Sequence, residues 1–237
     1  MREELKAAAS ENTHETVLAL LAKEDRGLVL DAGAGSGALS LKLRELGLNV
    51  VATDINPSFK AKTVDGNIEF VLSDLDVSIP FKEHVFDYVV AVEIIEHVEN
   101  PWYFLREISR ILKTNGKLYL TTPNVHAIYQ RIYFLFSRTF YSFRHSDFDG
   151  NRHITPILFW NLERMLEVTG FEIETVTFNK GFIPKLKIRG KNLRAPKNFL
   201  FGETLIVVAE KVGKGKRRER NKSSQKSRNN EENNVTM

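Results

Sequence analysis

A short group of acids and a histidine, Glu93-Ile94-Ile95-Glu96-His97, follows a β-branched run and carries side chains suited to chemistry. If the segment forms a helical turn, Glu93, Glu96 and His97 stand at i, i+3 and i+4 and share one face. Two carboxylates and an imidazole could ligate a divalent ion such as magnesium or manganese. Without an ion, His97 is the best candidate for a general base, because the ordinary histidine pKa is about 6.5.

Two further histidines lie downstream, in the stretch FRHSDFDGNRHI at residues 143–154. Of these, His153 is the second candidate for the base. The competing interpretation needs no metal. In that interpretation Glu93 contacts a cofactor, Glu96 caps or pairs on the surface, and His97 acts as the base or packs beside the site.

The sequence LDAGAGSG at residues 30–37 connects an apolar run to an amphipathic stretch. Glycines let the backbone approach a ligand and adopt positive φ, and the helix that follows offers N–H groups at its start. Gly33, Gly35 and Ala38 also fit the dinucleotide fingerprint. Because no Gly-Lys-Ser/Thr follows, the turn is not a P-loop.

Acidic residues near the ends of the predicted strands favour a ligand other than a dinucleotide. Asp31 stands two residues before the first glycine, where its carboxylate would repel a pyrophosphate and attract an ammonium group. Asp54, which ends the second predicted strand, could accept hydrogen bonds from ribose hydroxyls. Asp74 ends the third and could accept one from an adenine amino group.

Short β-branched runs alternate with amphipathic stretches, a pattern typical of a parallel sheet covered by helices on both faces. We predict helices at residues 2–23, 37–46 and about 155–169 and one that starts at Pro101, and strands at residues 27–31, 49–54, 67–74, 85–93, 117–123, 171–178 and 203–210. Since no helix separates the last two strands, the predicted fold is a Rossmann-like α/β domain with seven strands, mainly parallel, and an antiparallel edge strand.

Five motifs, in this order, resemble those of class I S-adenosylmethionine-dependent methyltransferases: VLDAGAGSGALSLKL, VVATDINP, EFVLSDLD, FDYVVAVEIIEHVENP and LKTNGKLYLTTPN. The resemblance is dense over residues 15–125, extends to residues 153–173, and points to the methyltransferase type 11 and 23 branch, which is similar to the ubiquinone-pathway O-methyltransferases. It implies methyl transfer to an oxygen of a small or lipid-like molecule, with S-adenosyl-L-methionine bound by Asp31, Gly33, Gly35, Gly37, Asp54, Ile55, Asp74, Leu75 and Glu93.

The E-x-x-E-H pattern is also similar to two metal-using branches, the ubiquinone-pathway enzymes and the small-RNA 3′-terminal 2′-O-methyltransferases. In the RNA enzymes a further downstream histidine completes the metal site, a role that His145 or His153 could fill. The resemblance thus implies a magnesium or manganese site at Glu93, Glu96, His97 and His153, although the spacing after Asp147 does not reproduce the second Asp-His pair of the RNA enzymes. Two alternatives therefore remain: an RNA 2′-O-methyltransferase, and a cofactor-binding partner subunit without catalysis.

Composition excludes several other classes of protein. The 237 residues contain no cysteine, which excludes a disulfide scaffold and thiolate metal sites. No apolar run approaches the roughly 20 residues that span a bilayer, and the polar N-terminus does not read as a secretory signal. We therefore expect a cytoplasmic protein.

Charge divides the chain into two parts. Residues 211–237 carry nine Lys or Arg and three Glu, so we predict a methyltransferase domain at residues 1–210 and a disordered basic tail. Residues 126–202 contain the predicted substrate-side insertions, an aromatic segment at 126–148 and a basic loop at 180–202. Together they would suit an amphipathic, anionic small-molecule or lipid-like acceptor. The loop and tail could also contact a membrane surface or nucleic acid, and nucleic acid is not favoured.

Overall fold

A seven-stranded sheet is the central element of the computed structural model, which describes residues 9–60, 66–146, 152–181, 187–188, 191–192 and 195–213. The strands are β1 (Leu28–Ala32), β2 (Asn49–Asp54), β3 (Glu69–Leu72), β4 (Phe86–Val92), β5 (Leu112–Pro123), β6 (Phe171–Phe178), β7 (Lys187–Ile188), β8 (Lys191–Asn192) and β9 (Thr204–Lys211). The helices are α1 (Thr13–Leu21), α2 (Ala38–Glu45), α3 (Pro101–Ile111), α4 (Ile128–Ser137) and α5 (Phe159–Thr169), with a 3-10 turn at Tyr141–Phe143.

The strand order is β3-β2-β1-β4-β5-β9-β6, and β7 pairs only with β8 in a separate small sheet. Strands β1 to β5 are parallel, whereas β9 runs antiparallel to both β5 and β6. The predicted Rossmann-like α/β fold is confirmed, with the antiparallel pairing at one end of the sheet. Because β9 is inserted between β5 and β6, the antiparallel strand lies one position inside the edge.

Each face of the sheet has its own apolar core. On one face, α1 and α2 contribute Val17, Leu21, Leu39 and Leu43, all of which are buried. On the other face, the buried residues of α3 and α5 pack together against the sheet. Because both faces are covered, the parallel strands are near-continuous hydrophobic runs, and ligands must approach at the strand ends.

Several predicted bounds differ from those observed in the described residues. Strand β5 begins at Leu112 rather than at residue 117, and β3 is shorter at both ends than the predicted 67–74. Two helices differ as well. The helix expected at residues 2–23 is described only from Thr13 to Leu21, and residues 1–8 lie outside the description. The helix expected from about residue 155 begins at Phe159. Its start is delayed because Ile154 and Thr155 both donate their N–H groups to the carbonyl of Glu96 at 3.0 Å. These bonds hold the preceding segment extended against the sheet edge.

The aromatic segment forms α4, which packs little of its surface into the core. Its one buried residue is Gln130, whereas Leu135 and Phe136 are 74% and 82% exposed. Packing against the sheet therefore does not explain the aromatic density. Within the described residues, no helix combines the length and apolar character needed to cross a bilayer.

The domain continues beyond the predicted boundary at residue 210. Strand β9 includes Lys211, whose Nζ donates to the carbonyl of Leu112 at 2.7 Å. The N–H of Val212 donates to the carbonyl of Gly170 at 2.9 Å. These residues, which we predicted in the tail, pack on the domain. Residues 214–237 lie outside the description, as do residues 182–186, 189–190 and 193–194 of the basic loop.

Shortening the Ile108 side chain tests whether the buried face of α3 contributes to the stability of the core. This side chain is fully buried, so we expect Ile108→Ala to lower the free energy of unfolding by about 2–5 kcal/mol. Urea denaturation followed by circular dichroism measures the change. Arg106→Ala, on the exposed side of the same helix, is the control and should stay within about 0.5 kcal/mol of wild type. Equal effects of the two substitutions would contradict this account of the core.

Candidate active site

The glycine turn joins β1 to α2 at the carboxyl edge of the sheet. Gly33 and Gly35 have φ values of 78° and 55°, in the left-handed region that favours glycine. A Cβ at Gly33 would overlap the side chain of Ile94, whereas one at Gly35 would meet nothing within 4 Å. The turn is therefore tightly packed at its first glycine and open to a ligand at its second.

Backbone N–H groups of the turn are bonded to β2. The N–H groups of Gly33 and Ala34 both donate to the carbonyl of Thr53, at 2.8 and 3.0 Å. The N–H of Gly35 donates to Oδ2 of Asp54 at 2.8 Å. A dinucleotide's pyrophosphate needs such groups to be available. This arrangement supports the expectation, drawn from the acids, that the turn does not bind a dinucleotide.

A cavity of about 340 Å³ opens beside the turn. Its lining residues are Gly33, Asp54, Ile55, Ser73, Asp74, Leu75, Asp76, Ile94, His97, Val98 and Arg152. Five of the nine predicted cofactor residues are in this lining: Gly33, Asp54, Ile55, Asp74 and Leu75. The other four, Asp31, Gly35, Gly37 and Glu93, do not line it.

Two lining residues that the sequence analysis did not single out, Asp76 and Arg152, complete the polar wall. The carboxylate of Asp76 accepts the N–H of Glu99 at 2.7 Å, and that of Asp74 accepts the N–H of Asp76 at 3.0 Å. Asp76 follows a predicted strand end, so its position was a usable signal. Arg152 comes from a distant part of the chain, and no local pattern indicates it.

Asp31 is buried beneath the glycine turn, where the hydroxyl of Ser40 donates to its Oδ2. Burial raises the pKa of Asp31 to about 6, and the nearby carboxylate of Asp54 acts in the same direction. The hydrogen bond from Ser40 only partly offsets these effects. A cation near this carboxylate would stabilise its ionised form.

Glu93 does not share a face with Glu96 and His97, contrary to the predicted helical turn. Its φ is 53°, and its N–H donates to Oγ1 of Thr121 at 2.9 Å. Its carboxylate accepts the N–H of Ser10 at 3.2 Å and the hydroxyl of Thr204 at 3.2 Å. The Glu93 side chain thus fastens the N-terminal segment to β9.

Glu96, His97 and His153 form a compact cluster. One potential ligand atom from each lies within 4.8 Å of the others, and the two imidazole ring centroids are 4.8 Å apart. Nδ1 of His97 lies 3.1 Å from the carbonyl of Arg152, and Nδ1 of His153 lies 2.7 Å from that of Ser142. Since a carbonyl only accepts, each Nδ1 carries the proton.

The carboxylate of Glu96 is fully buried, and no hydrogen-bond partner is found for either of its oxygens within the described ranges. Burial, together with the nearby carboxylate of Glu93, raises the pKa of Glu96 well above its ordinary value. The Glu96 backbone and the Thr122 hydroxyl favour the ionised form, but they do not offset burial. A buried carboxylate is costly unless it is protonated or meets a cation. Of the four predicted metal ligands, Glu96, His97 and His153 come together and Glu93 does not. His145 is exposed and lies outside the cluster.

Residues 30–120 match a family model described as a methyltransferase domain. Over 102 residues the chain is 33% identical to the ubiquinone biosynthesis O-methyltransferase of Xanthomonas oryzae pv. oryzae, a match that covers 40% of this chain and 43% of that protein. Over 158 residues it is 28% identical to the mitochondrial ubiquinone biosynthesis O-methyltransferase of Homo sapiens, covering 62% and 42%. The matches thus span less than half the length of these curated relatives.

Solved structures share the fold. A putative methyltransferase from Bacillus halodurans superposes with a TM-score of 0.62 at 22% identity, covering 85% of this chain and 99% of that one. The Burkholderia thailandensis 1,6-didemethyltoxoflavin-N1-methyltransferase, solved with its substrate and S-adenosylhomocysteine, gives 0.58 at 16% identity, covering 86% and 80%. At these identities the likeness shows the fold.

The raised pKa of Asp31 predicts how this residue affects stability across pH. Folding favours the protonated acid, so the stabilising contribution is complete below the unfolded pKa of about 3.8 and is lost as pH rises through about 6. Asp31→Asn removes this loss, and the free energy of unfolding at pH 8 should exceed that of wild type by about 1–3 kcal/mol. Urea denaturation from pH 4 to pH 8 measures the difference, which should shrink toward acid.

Asp25→Asn is the matched control, because Asp25 is exposed near the opposite edge of the sheet. Its pH dependence gives the baseline for removing one exposed aspartate from the chain. A constant difference between Asp31→Asn and wild type from pH 4 to pH 8 would show that burial does not perturb Asp31.

Proposed function

Because this chain belongs to the class I S-adenosylmethionine-dependent methyltransferases, we propose that it transfers a methyl group to an oxygen of a small or lipid-like molecule. The position of His97 carries the proposal. This residue lines the cavity beside the glycine turn and also belongs to the cluster with Glu96 and His153. A methyl donor in the cavity and the groups that could act on an acceptor would therefore meet at one residue.

The acids around the turn fit the charge of this cofactor. S-adenosylmethionine, when bound, supplies a methyl group on a positively charged sulfur and carries an ammonium group. Asp31 would interact with the ammonium group, which would lower its raised pKa. Asp54 would accept hydrogen bonds from the ribose hydroxyls, and Asp74 and Leu75 would border the adenine. Gly35 leaves the open space beside them.

His97 is proposed as the proton acceptor. Methyl transfer forms a bond between the acceptor oxygen and the methyl carbon, while the electrons of the broken carbon–sulfur bond stay on sulfur. The hydroxyl proton must then move to a base. Because Nδ1 of His97 faces the carbonyl of Arg152, this proton would be accepted at Nε2. Ile94 and Val98 beside it would limit the access of water.

The cluster also fits a divalent cation, which supports a second form of the same activity. The buried carboxylate of Glu96 suits a metal ligand, because a bound cation would offset the cost of burying its charge. A histidine that binds a metal through one ring nitrogen commonly donates the other N–H to a carbonyl, as His97 and His153 both do. Magnesium or manganese held by these three residues would lower the pKa of an acceptor hydroxyl.

Helix α4 supports a lipid-like acceptor. Leu135 and Phe136 are largely exposed, and Ile132 and Phe134 are about half exposed, so the helix presents an apolar surface to solvent. A surface of this kind favours contact with apolar molecules or with a membrane. The helix also contacts the cluster indirectly, because Gln130 bonds Ser142, whose carbonyl accepts from His153. The apolar surface thus lies on a helix that is linked to the cluster through Ser142.

Calorimetry tests cofactor binding. S-adenosylmethionine and S-adenosylhomocysteine should bind at one site, and NAD should not bind. Loss of a hydrogen bond to a charged group costs about 1.5–3 kcal/mol, so Asp54→Ala should weaken both ligands by about 10- to 150-fold. Glu69→Ala, at an exposed position on β3, is the control and should bind as wild type does. Binding of NAD without affinity for S-adenosylmethionine would overturn the proposal.

A labelled methyl group tests the transfer. We expect transfer from labelled S-adenosylmethionine to the lipid pool of a cell extract, separated from RNA and from small polar compounds, and loss of this transfer in His97→Ala. Chelation distinguishes transfer that requires a divalent cation from transfer in which His97 alone is the base. If an ion is required, chelation should abolish methyl transfer, and re-added magnesium or manganese should restore it. Glu96→Gln should then also lose methyl transfer while its affinity for the cofactor is unchanged.

Glu163→Gln, on the exposed side of α5, is the control for the Glu96 substitution and should retain full transfer. Full transfer by the chelated wild type would exclude the metal and leave His97 as the base. Transfer to RNA alone would show that the acceptor class is wrong, and no transfer to any pool would favour a non-catalytic cofactor-binding subunit.

A further inference from the structure

We infer that Gln130 is a positioning residue for His153, because its buried side-chain amide fixes Ser142 and the carbonyl of Ser142 fixes the imidazole with the proton on Nδ1. The inference deepens the proposed function, since it concerns the orientation of one residue in the cluster. Its test does not depend on activity, and it can therefore fail or succeed separately from methyl transfer.

Gln130 is exceptional within its helix. It is fully buried, whereas the apolar residues Ile132, Leu135 and Phe136 of α4 are more than half exposed. A helix that buries a glutamine and exposes its large apolar side chains is not oriented by the hydrophobic effect alone. Burial of an amide is costly unless its donors and acceptor are bonded, so the partners of Gln130 explain its position.

The nitrogen and the oxygen of the Gln130 side-chain amide both form hydrogen bonds with Ser142. Nε2 of Gln130 donates to Oγ of Ser142 at 2.6 Å, and Oε1 accepts the N–H of Ser142 at 3.3 Å. Nε2 also donates a longer hydrogen bond to the hydroxyl of Tyr129, at 3.3 Å. Since the backbone N–H of Ser142 can only donate, the amide oxygen must face it, which fixes the orientation of the amide.

Ser142 in turn orients His153. Ser142 is the central residue of the 3-10 turn Tyr141–Phe143, and its carbonyl lies 2.7 Å from Nδ1 of His153. The ring of Phe143 lies 5.3 Å from the imidazole and adds a contact from the same turn. With Nδ1 protonated, the lone pair of neutral His153 is on Nε2. That nitrogen is then the one able to act as a metal ligand or a base in the cluster.

The chain of contacts thus runs from α4 through the 3-10 turn to the cluster. A histidine in water prefers the tautomer with the proton on Nε2, so the observed arrangement must be held by its surroundings. The two bonds from Gln130 hold the acceptor carbonyl in place. Without them, we expect the 3-10 turn to loosen and His153 to exchange between tautomers.

The experiment compares ¹⁵N-labelled wild type and Gln130→Met by long-range ¹H–¹⁵N NMR at a pH of about 8, above the ordinary histidine pKa of about 6.5. Methionine has a similar length and no amide, so it removes both bonds with little change in volume. The signals of His153 are assigned with His153→Gln. Wild type should show the Nδ1–H tautomer, and Gln130→Met should shift toward the Nε2–H tautomer. Where methyl transfer is measurable, it should fall about 10- to 100-fold with unchanged cofactor affinity.

Three further variants allow the test to distinguish a positioning role from a change in folding. Gln130→Glu, protonated when buried, can accept the N–H of Ser142 and donate to its hydroxyl, so it should restore the wild-type tautomer. Tyr129→Phe removes a hydroxyl that interacts with both Gln130 and Ser142 but keeps the two bonds between those residues. The Nδ1–H tautomer of His153 should therefore stay predominant in this variant. If Gln130→Met does not fold, Ser142→Ala removes the 2.6 Å bond alone and should give a smaller shift in the same direction. Folded Gln130→Met or Ser142→Ala with an unchanged Nδ1–H signal would overturn the inference.

Discussion

Three consecutive backbone N–H groups fasten the glycine turn to the end of β2, and the geometry of the cavity depends on them. The bonds from Gly33 and Ala34 to Thr53, and from Gly35 to Asp54, fix the turn relative to the neighbouring strand. They also engage the amides that a pyrophosphate would need. The side chains that line the cavity at this edge include the carboxylates of Asp54, Asp74 and Asp76, a chemistry suited to a cationic ligand.

Buried acids that no nearby cation balances among the described residues are the common electrostatic feature of the site. Asp31 lies buried below the turn, and Glu96 lies buried in the cluster, each with a raised pKa caused chiefly by burial. Neither arrangement favours the stability of the ligand-free protein, because ionisation of a buried acid is costly. Both become favourable when a positive charge is bound. The fold therefore gives up stability where the proposed ligands would supply charge.

The segment from α4 to α5 brings the acceptor side of the site together. The 3-10 turn at Tyr141–Phe143 holds His153, and the residues that follow bond the carbonyl of Glu96. This connection is long enough to cross the carboxyl edge of the sheet, where α/β folds bind their ligands. An exposed apolar helix, a buried glutamine and the histidine of the cluster thus belong to one continuous piece of chain. Its variation could change the acceptor without changing the cofactor site.

The sequence by itself determined the sheet, the order of its elements and the cofactor edge, because these depend on local signals. Periodicity and turn residues predict strands and helices, and the carboxyl ends of parallel strands meet, which placed Asp54 and Asp74 together. Only the tertiary structure decided which acids join the cluster. The carboxylate of Glu93 lies near the cluster but bonds Ser10 and Thr204 instead, which are 83 and 111 residues distant along the chain. The contact of His153 with the cluster is equally non-local. Contacts between distant segments leave no periodic pattern in a single sequence. Spacing alone could therefore not show that Glu93 bonds other segments while Glu96 joins the cluster.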